Sequence, residues 1–164
     1  MAVLVASGES NTATKVGANG ATTEEAEVKD SVSKPHVFLV GDLVEIGDWR
    51  ILVHAVTDPL KSSNEFIGPS SGSRWVAADV EVTNTASEPA LMSALMCLEL
   101  QDSFNQNYSI AITAEDFPEL DGEVASSGSR RGVVVFEVPQ SASGLVLKFS
   151  CDLFSTGQAL IRLN

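Results

Sequence analysis

Two histidines are the only imidazole groups in the chain that could serve as a general base near neutral pH. His36 follows Pro35, and His54 lies in a run of alternating apolar and polar residues. A Ser-His-Asp relay needs a hydroxyl nucleophile beside the imidazole and a carboxylate behind it. His54 falls on the strand face opposite Trp49 and Ile51, so a relay built on it would lie on the surface of a sheet.

Sequence motifs typical of catalytic sites are also scarce. The sequence has no P-loop, no His-Glu-x-x-His pattern and no Cys-x-x-Cys pattern. We therefore assign no catalytic, cofactor-binding or metal-binding residues and expect a protein that is not an enzyme. A hydrolase of unknown type, using His54 in a pocket with a nucleophile, is kept as an alternative.

Carboxylates are concentrated near the middle of the second half of the chain: Glu115, Asp116, Glu119, Asp121 and Glu123. Such a loop could supply the several oxygens that calcium prefers, but its spacing does not follow an EF-hand. We favour a solvated acidic surface. A smaller polar group, Asp102 with Asn105 and Asn107, is interpreted as a turn between two strands.

The two cysteines, Cys97 and Cys151, are too far apart in sequence for a zinc knuckle. In an exported protein they could form a disulfide that stabilises the fold by about 3 to 4 kcal/mol in the chain-entropy model. Strand parity argues against this pairing, because Cys151 continues an apolar face whereas Cys97 alternates out of phase with its apolar neighbours. We therefore favour two buried free thiols and leave the disulfide open.

Aromatic and amide groups offer two further candidate sites. Trp49 and Trp75 could stack on a sugar, but each starts a predicted strand at an alternating position, so core packing is favoured. Asn107-Tyr108-Ser109 fits the glycosylation acceptor pattern. An ordinary structural asparagine at a strand edge is the preferred interpretation.

Charge limits the classes of partner. Ten basic and 22 acidic residues give a formal net charge of −12 over 164 residues. This charge opposes binding to nucleic acid and to anionic lipid. No window reaches the roughly 18 to 20 consecutive apolar residues of a membrane-spanning helix, so we expect no membrane insertion. A protein partner or self-association, including a homo-oligomer, is the expected mode of action.

Composition divides the chain into two parts. Residues 1–36 are rich in Ser, Thr, Ala, Gly and Glu and poor in large apolar side chains, which predicts a flexible N-terminal arm or linker. Residues 37–164 consist of short apolar runs separated by Gly, Pro, Asn and Asp. This pattern is typical of an all-β domain.

The predicted strands are about eight in number. Trp49, Ile51, Val53 and Ala55 are expected to share one face of a hairpin strand that follows the Gly47-Asp48 turn. The strands are predicted at residues 43–46, 49–56, 74–83, 96–100, 108–112, 132–138, 145–149 and 159–163. A long loop is expected over 57–73, and an irregular acidic stretch over 113–129 with a helical turn near 114–117.

In the run from Arg74 to Thr83, the side chains are expected to alternate between the two faces of a strand. Its apolar set is predicted to face the core: Val76, Ala78, Val80 and Val82. Its alternate set is predicted to face water: Ala77, Asp79, Glu81 and Thr83.

An ordered set of landmarks, rather than any single motif, resembles a known family. The landmarks are Val40-Gly41-Asp42, the run from Val44 to Trp49, the strand from Trp75 to Thr85 followed by Ser87-Glu88-Pro89, Leu100-Gln101-Asp102 with Tyr108, the strand from Gly132 to Pro139, and Leu145-Val146-Leu147. Together they resemble the domain-of-unknown-function family of immunoglobulin-like modules in bacterial and archaeal envelope lipoproteins. That family is related in fold to a secreted immunogenic protein of mycobacteria.

The resemblance covers about Val37 to Leu163 and implies an immunoglobulin-like antiparallel β-sandwich outside the cytoplasmic membrane. It implies a binding, adhesion or assembly role and no reaction. We therefore expect an exported, non-enzymatic binding or structural module of the cell envelope or extracellular space.

The apolar run Met1 to Ala6 has two interpretations. It resembles the end of a bacterial lipoprotein signal, with Ser7 where the lipid-accepting cysteine would stand. Alternatively, it is a strand that adds to the open edge of another copy, which would make the chain a subunit of a surface filament.

Overall fold

Alternating apolar residues and the turn-forming residues between them produce a β-rich architecture in the computed structural model. The structure describes residues 13–16, 36–64, 66–113, 115–151 and 157–164. Its elements are β1 (Thr14–Lys15), β2 (Val37–Leu39), β3 (Leu43–Ile46), β4 (Trp49–Leu60), β5 (Ser73–Asn84), β6 (Ala90–Met92), α1 (Ala94–Cys97), β7 (Leu98–Gln101), β8 (Asn107–Tyr108), β9 (Gly122–Val124), β10 (Ser129–Pro139), β11 (Val146–Phe149) and β12 (Ala159–Arg162).

Two five-stranded sheets form the two layers of a sandwich. The first has the order β1-β3-β4-β5-β10 and the second the order β2-β12-β11-β7-β8. β6 and β9 form a separate two-stranded sheet. Among the described strands, β2 and β12 pair in parallel and the other pairs are antiparallel. The predicted immunoglobulin-like β-sandwich is confirmed.

The core lies between the two sheets, and β5 is its central contributor. The inward set of β5 is completely buried, as predicted: Val76, Ala78, Val80 and Val82. These side chains join one cluster with apolar residues of the second sheet, among them Leu100, Leu147, Phe149 and Ile161. Burial of each large apolar side chain contributes about 1.5 to 3 kcal/mol.

The opposite face of β5 is only partly exposed to water, so one prediction for it is wrong. Trp75, Ala77 and Val135 form a second buried cluster, on which Leu60 and Phe117 pack. Ala77 is therefore buried rather than exposed, because neighbouring segments cover this end of the sheet. Burial of Trp75 and Trp49 confirms that both indoles pack in the interior.

A bulge in β4 changes the predicted face of one residue. The pairing register of β4 with β5 shifts between Val53 and Ala55. The shift turns Ala55 outward into solvent, whereas Val56 packs against the core. Strict alternation fails here because a bulge inserts one extra residue into the strand.

The region from 94 to 112 contains less strand than predicted. Residues 94–97 form the single helical turn α1 instead of the start of a strand, and β7 begins at Leu98. The predicted strand over 108–112 is reduced to β8 and an isolated bridge between Ile110 and Phe136.

The helical turn α1 also explains why strand parity did not predict the disulfide. Cys97 and Cys151 are bonded, so our preference for free thiols is wrong. The parity argument assumed that Cys97 lay in a strand, but its position at the end of a helical turn follows a different periodicity. The bond joins α1 to the residue two positions after β11.

Both predicted loops are shorter than expected. β4 continues to Leu60, so the connection to β5 covers residues 61–72. The acidic stretch contains β9, which pairs with β6. Residues 115–117 are not helical, and Ala114 lies outside the described residues.

Part of the predicted arm pairs with the sandwich. Thr14 and Lys15 lie opposite Glu45 and Val44 of β3, and Lys15 Nζ lies 2.6 Å from a carboxylate oxygen of Asp42. The ammonium group of Lys15 holds the pKa of Asp42 below its usual value. Residues 1–6 lie outside the described residues, and the division of the chain at residue 36 stays a prediction. Among the described residues, no helix has the length and hydropathy that a membrane span requires.

The disulfide should contribute strongly to stability, because its two cysteines are 54 residues apart. Replacing both in a Cys97→Ala/Cys151→Ala variant should lower the free energy of unfolding by about 4 kcal/mol, since the loop is no longer closed in the unfolded state. Urea denaturation followed by tryptophan fluorescence measures this change. A reducing agent should shift the wild-type midpoint and leave the variant's midpoint in place. Equal midpoints for the oxidised wild-type protein and the variant would contradict the disulfide assignment.

Candidate binding surface

A groove opens between α1 and residues 110–113 and 115–121. Its volume is about 400 Å³, which is toward the small end of the range for ligand sites. Apolar side chains dominate its lining: Leu95, Ile110, Ala111, Ile112, Phe117, Leu120 and Val133. Glu115, Glu119 and Asp121 add carboxylates to the same lining. We call this feature the α1 groove.

One wall of the α1 groove is a segment laid along the outer edge of β10. The Ala111 N–H donates to the Val135 carbonyl at 2.7 Å, and the Val133 N–H donates to the Pro118 carbonyl at 3.0 Å. Such cover removes an open strand edge that could pair with another chain. Ile112, Thr113 and Phe117, which lie between these two anchors in the sequence, line the groove.

A glycine lets that wall approach the sheet. A Cβ atom added at Gly132 of β10 would lie 2.7 Å from the Pro118 carbonyl oxygen and closer still to the Leu120 amide. No side chain therefore fits between β10 and residues 118–120. The sequence signal was a glycine inside a β-prone run, which marks close approach of another backbone.

Two of the clustered carboxylates accept hydrogen bonds from backbone N–H groups of neighbouring segments. Glu115 accepts hydrogen bonds from the Ser63 N–H at 2.7 Å, the Ser63 hydroxyl at 2.8 Å and the Ser62 hydroxyl at 3.0 Å. These bonds, led by the Ser63 N–H, lower the pKa of Glu115. Asp121 accepts from the Ala94 N–H at 3.0 Å and so fixes the start of α1.

The clustered carboxylates do not form a cation site in the part of the chain that the structure describes. No three side chains among His, Cys, Asp and Glu come together there at metal-binding distance. Glu115 and Asp121 instead tie two neighbouring segments to the α1 groove. Glu119 and Glu123 stay exposed, and so does Asp116.

Large apolar side chains project from the rim of the α1 groove. The exposed fractions of the two that line it are 71% for Leu95 and 98% for Ile112. α1 buries Ala94 and Cys97, so its two middle residues point outward. Clustered exposed apolar side chains beside a groove mark interaction surfaces.

The histidine considered for catalysis lies elsewhere. His54 Nε2 is 2.8 Å from a carboxylate oxygen of Glu81 on the partly exposed outer face of the first sheet. Beside them, Arg131 binds Asp79 through two hydrogen bonds of 2.8 and 2.7 Å, which lower the pKa of Asp79. Among the described residues, Glu81 is the side chain that His54 binds, and no hydroxyl joins the pair.

One sequence motif that contains the catalytic serine in other proteins occurs in the loop before β5. Gly68-Pro69-Ser70-Ser71-Gly72 matches the Gly-x-Ser-x-Gly pattern of hydrolases. That motif requires a turn between a strand and a helix, whereas here a strand follows it. The Ser70 N–H donates to Glu137 at 3.1 Å. Ser70 thus lacks the context of a nucleophile.

The group around Asp102 forms a turn, as interpreted from the sequence. One oxygen of Asp102 accepts from the Phe104 N–H at 2.8 Å and the Gln106 N–H at 2.9 Å, and the other accepts from the Tyr108 hydroxyl at 2.9 Å. These bonds, led by the Gln106 N–H, lower the pKa of Asp102. Asn105 has φ of 62°, as turns often require.

Comparison with known proteins identifies the family. A sequence profile for a domain of unknown function, DUF4352, matches residues 38–159. The chain belongs to the DUF4352 family. The resemblance inferred from the ordered landmarks is thereby confirmed. A search of curated proteins found no match.

Solved structures share the fold of this DUF4352 domain at low sequence identity. The yjhA protein of Bacillus subtilis has a TM-score of 0.60 and 14% identity, over 78% of this chain and 100% of that chain. The ycdA protein of Bacillus subtilis, described as a candidate lipoprotein, has a TM-score of 0.56 and 16% identity, over 71% of this chain and 36% of that chain. A β-sandwich protein of Clostridium difficile 630 has a TM-score of 0.51 and 12% identity, over 84% of this chain and 100% of that chain.

The close contact at Gly132 can be tested by adding one methyl group. Gly132→Ala should destabilise the fold by about 1 to 3 kcal/mol, because residues 118–120 must move away from β10. Gly68→Ala is the matched control, since a Cβ there meets no atom within 4 Å, and its effect should stay within about 0.5 kcal/mol. Urea denaturation measures both. Equal stability of the two variants would show that the wall does not rest on β10.

Proposed function

We propose that this chain is a non-enzymatic, exported binding module of the cell envelope or extracellular space, and that it binds a protein partner through the α1 groove. The observation that carries the proposal is the exposure of Leu95 and Ile112 in the lining of a mainly apolar groove. Covering one such side chain contributes about 1.5 to 3 kcal/mol. A partner that covered both would gain a substantial part of a micromolar affinity.

Export is supported by the family resemblance and by the description of ycdA as a candidate lipoprotein. The formal net charge of −12 favours a protein partner over nucleic acid or an anionic membrane. The histidine that would serve a hydrolase pairs with Glu81 on the outer face of a sheet, away from the α1 groove lining. These observations favour binding over catalysis.

A photo-reactive amino acid at position 95 tests the proposal. The purified chain, labelled at Leu95 and incubated with the envelope fraction of its source cells, should form one cross-linked product. Excess unlabelled wild-type chain should compete for it, and excess Leu95→Asp chain should not, because a carboxylate opposes burial of the rim.

Position 104 provides the matched control, because Phe104 is 83% exposed but lies in the turn between β7 and β8. A label there should give no product that the wild-type chain competes away. Equal labelling from both positions, or equal competition by the Leu95→Asp chain, would rule out the α1 groove as the binding surface.

A second candidate is a surface filament assembled by strand exchange. It is favoured by the pairing of β1 with β3, which adds a strand to one edge of the first sheet. The Val16 N–H also donates to the Leu43 carbonyl at 2.9 Å. The same pairing made between two copies would join them and could propagate.

Engineered cysteines decide between pairing within one chain and pairing between chains. Thr14 and Glu45 lie opposite each other in the register, so Thr14→Cys/Glu45→Cys should cross-link on oxidation. A ladder of multimers on a non-reducing gel would support the filament, and a cross-linked monomer alone would exclude it. Thr14→Cys/Glu88→Cys, which places the second thiol in the turn after β5, should form neither product.

A further inference from the structure

The charges on the α1 groove point to the chemistry of what it binds. We infer that its occupant is a short cationic segment with apolar side chains, presented by a partner protein. This inference rests on the proposed function and adds the chemical class of the partner. It is carried by three carboxylates, those of Glu115, Glu119 and Asp121, in a groove lined mainly by apolar residues.

Carboxylates outnumber cations at the α1 groove in the described part of the chain: Glu115, Glu119 and Asp121 line it, and the guanidinium of Arg130 lies beside Gly122. Glu119 lines the groove, and Glu123 lies opposite Leu91 in the pairing of β9 with β6. Neither carboxylate makes a salt bridge within the described part of the chain. The guanidinium of Arg130 lies against Gly122, but its Nε donates at 3.3 Å to the backbone carbonyl of Glu119.

Several carboxylates elsewhere on the sandwich are paired with cations, whereas others, such as Glu88 and Glu137, make no salt bridge among the described residues. Salt bridges join Asp79 to Arg131 and Glu45 to Arg50 on the first sheet, and Glu99 to Lys148 on the second. The carboxylates in its lining make the α1 groove a negative surface on a protein whose net charge is already −12. A cationic partner would be attracted to it, and an anionic one repelled.

The floor and the size of the α1 groove restrict the occupant further. Its volume of about 400 Å³ accommodates a few side chains rather than the face of a domain. Leu95 and Ile112 on the rim offer apolar contact to side chains between the cationic ones. A segment that alternates charged and apolar residues satisfies both features.

Two synthetic peptides test the charge of the occupant. One is an eight-residue peptide that alternates Lys with Val, and the other replaces each Lys with Glu. Fluorescence anisotropy of labelled peptides should show binding of the Lys/Val peptide and at least about tenfold weaker binding of the Glu/Val peptide at low salt. Equal affinity for the two peptides would overturn the inference.

Variants of the protein locate the binding site. Glu119→Gln/Glu123→Gln should weaken the Lys/Val peptide about three- to tenfold, as expected for the loss of two exposed charge pairs. Glu88→Gln, an exposed carboxylate in the turn after β5, is the control and should change affinity less than about twofold. Leu95→Ser should also weaken binding of the Lys/Val peptide. If the peptide were attracted only by the net charge of the protein, this substitution would leave its affinity unchanged. An unchanged affinity in either groove variant would overturn the inference.

The outcome separates this inference from the proposed function. If position 95 captures a protein partner but the Lys/Val peptide does not bind, the cationic class is wrong and the binding role stands. If, in addition, the label at position 95 captures no partner for which the unlabelled wild-type chain competes, both this inference and the proposed function are wrong.

Discussion

The apolar face of β5 packs between β4 and β10 against the second sheet, and the placement of every other element follows from that contact. Val76, Ala78, Val80 and Val82 are completely buried there. A strand with a period of two must then present its alternate residues outside the sandwich. That outer face holds the Arg131–Asp79 and His54–Glu81 pairs at one end, and a cluster covered by neighbouring segments at the other.

The α1 groove is a consequence of how the outer edge of β10 is covered. Ala111 and Pro118 form hydrogen bonds to that edge, and Gly132 lets residues 118–120 lie against β10. On the opposite side, the disulfide at Cys97 and the hydrogen bond from Ala94 to Asp121 hold α1 in place. Both walls of the groove are therefore fixed by the scaffold, so that little ordering is required when a partner binds.

The alternation of apolar and polar residues is sufficient to predict strands that pair with a neighbouring strand on each side, above all β5. It failed where distant segments decide the environment: Ala77 is buried because Leu60 and Phe117 cover its end of the sheet. The disulfide was misjudged because a helical turn replaced the expected strand at Cys97. The acidic cluster was visible in the sequence, but its division into backbone anchors such as Glu115 and exposed groups such as Glu119 depends on long-range hydrogen bonds.

Hydrogen exchange of the free chain and of the chain with the Lys/Val peptide tests the central claim, that a rigid sandwich binds through the α1 groove. Amides of β5 should exchange slowest in both states, because they open only when the whole domain unfolds. The peptide should slow exchange at residues 94–97 and 110–121 and leave β3 unchanged. Slowing at β3 instead, or fast exchange within β5, would contradict the account.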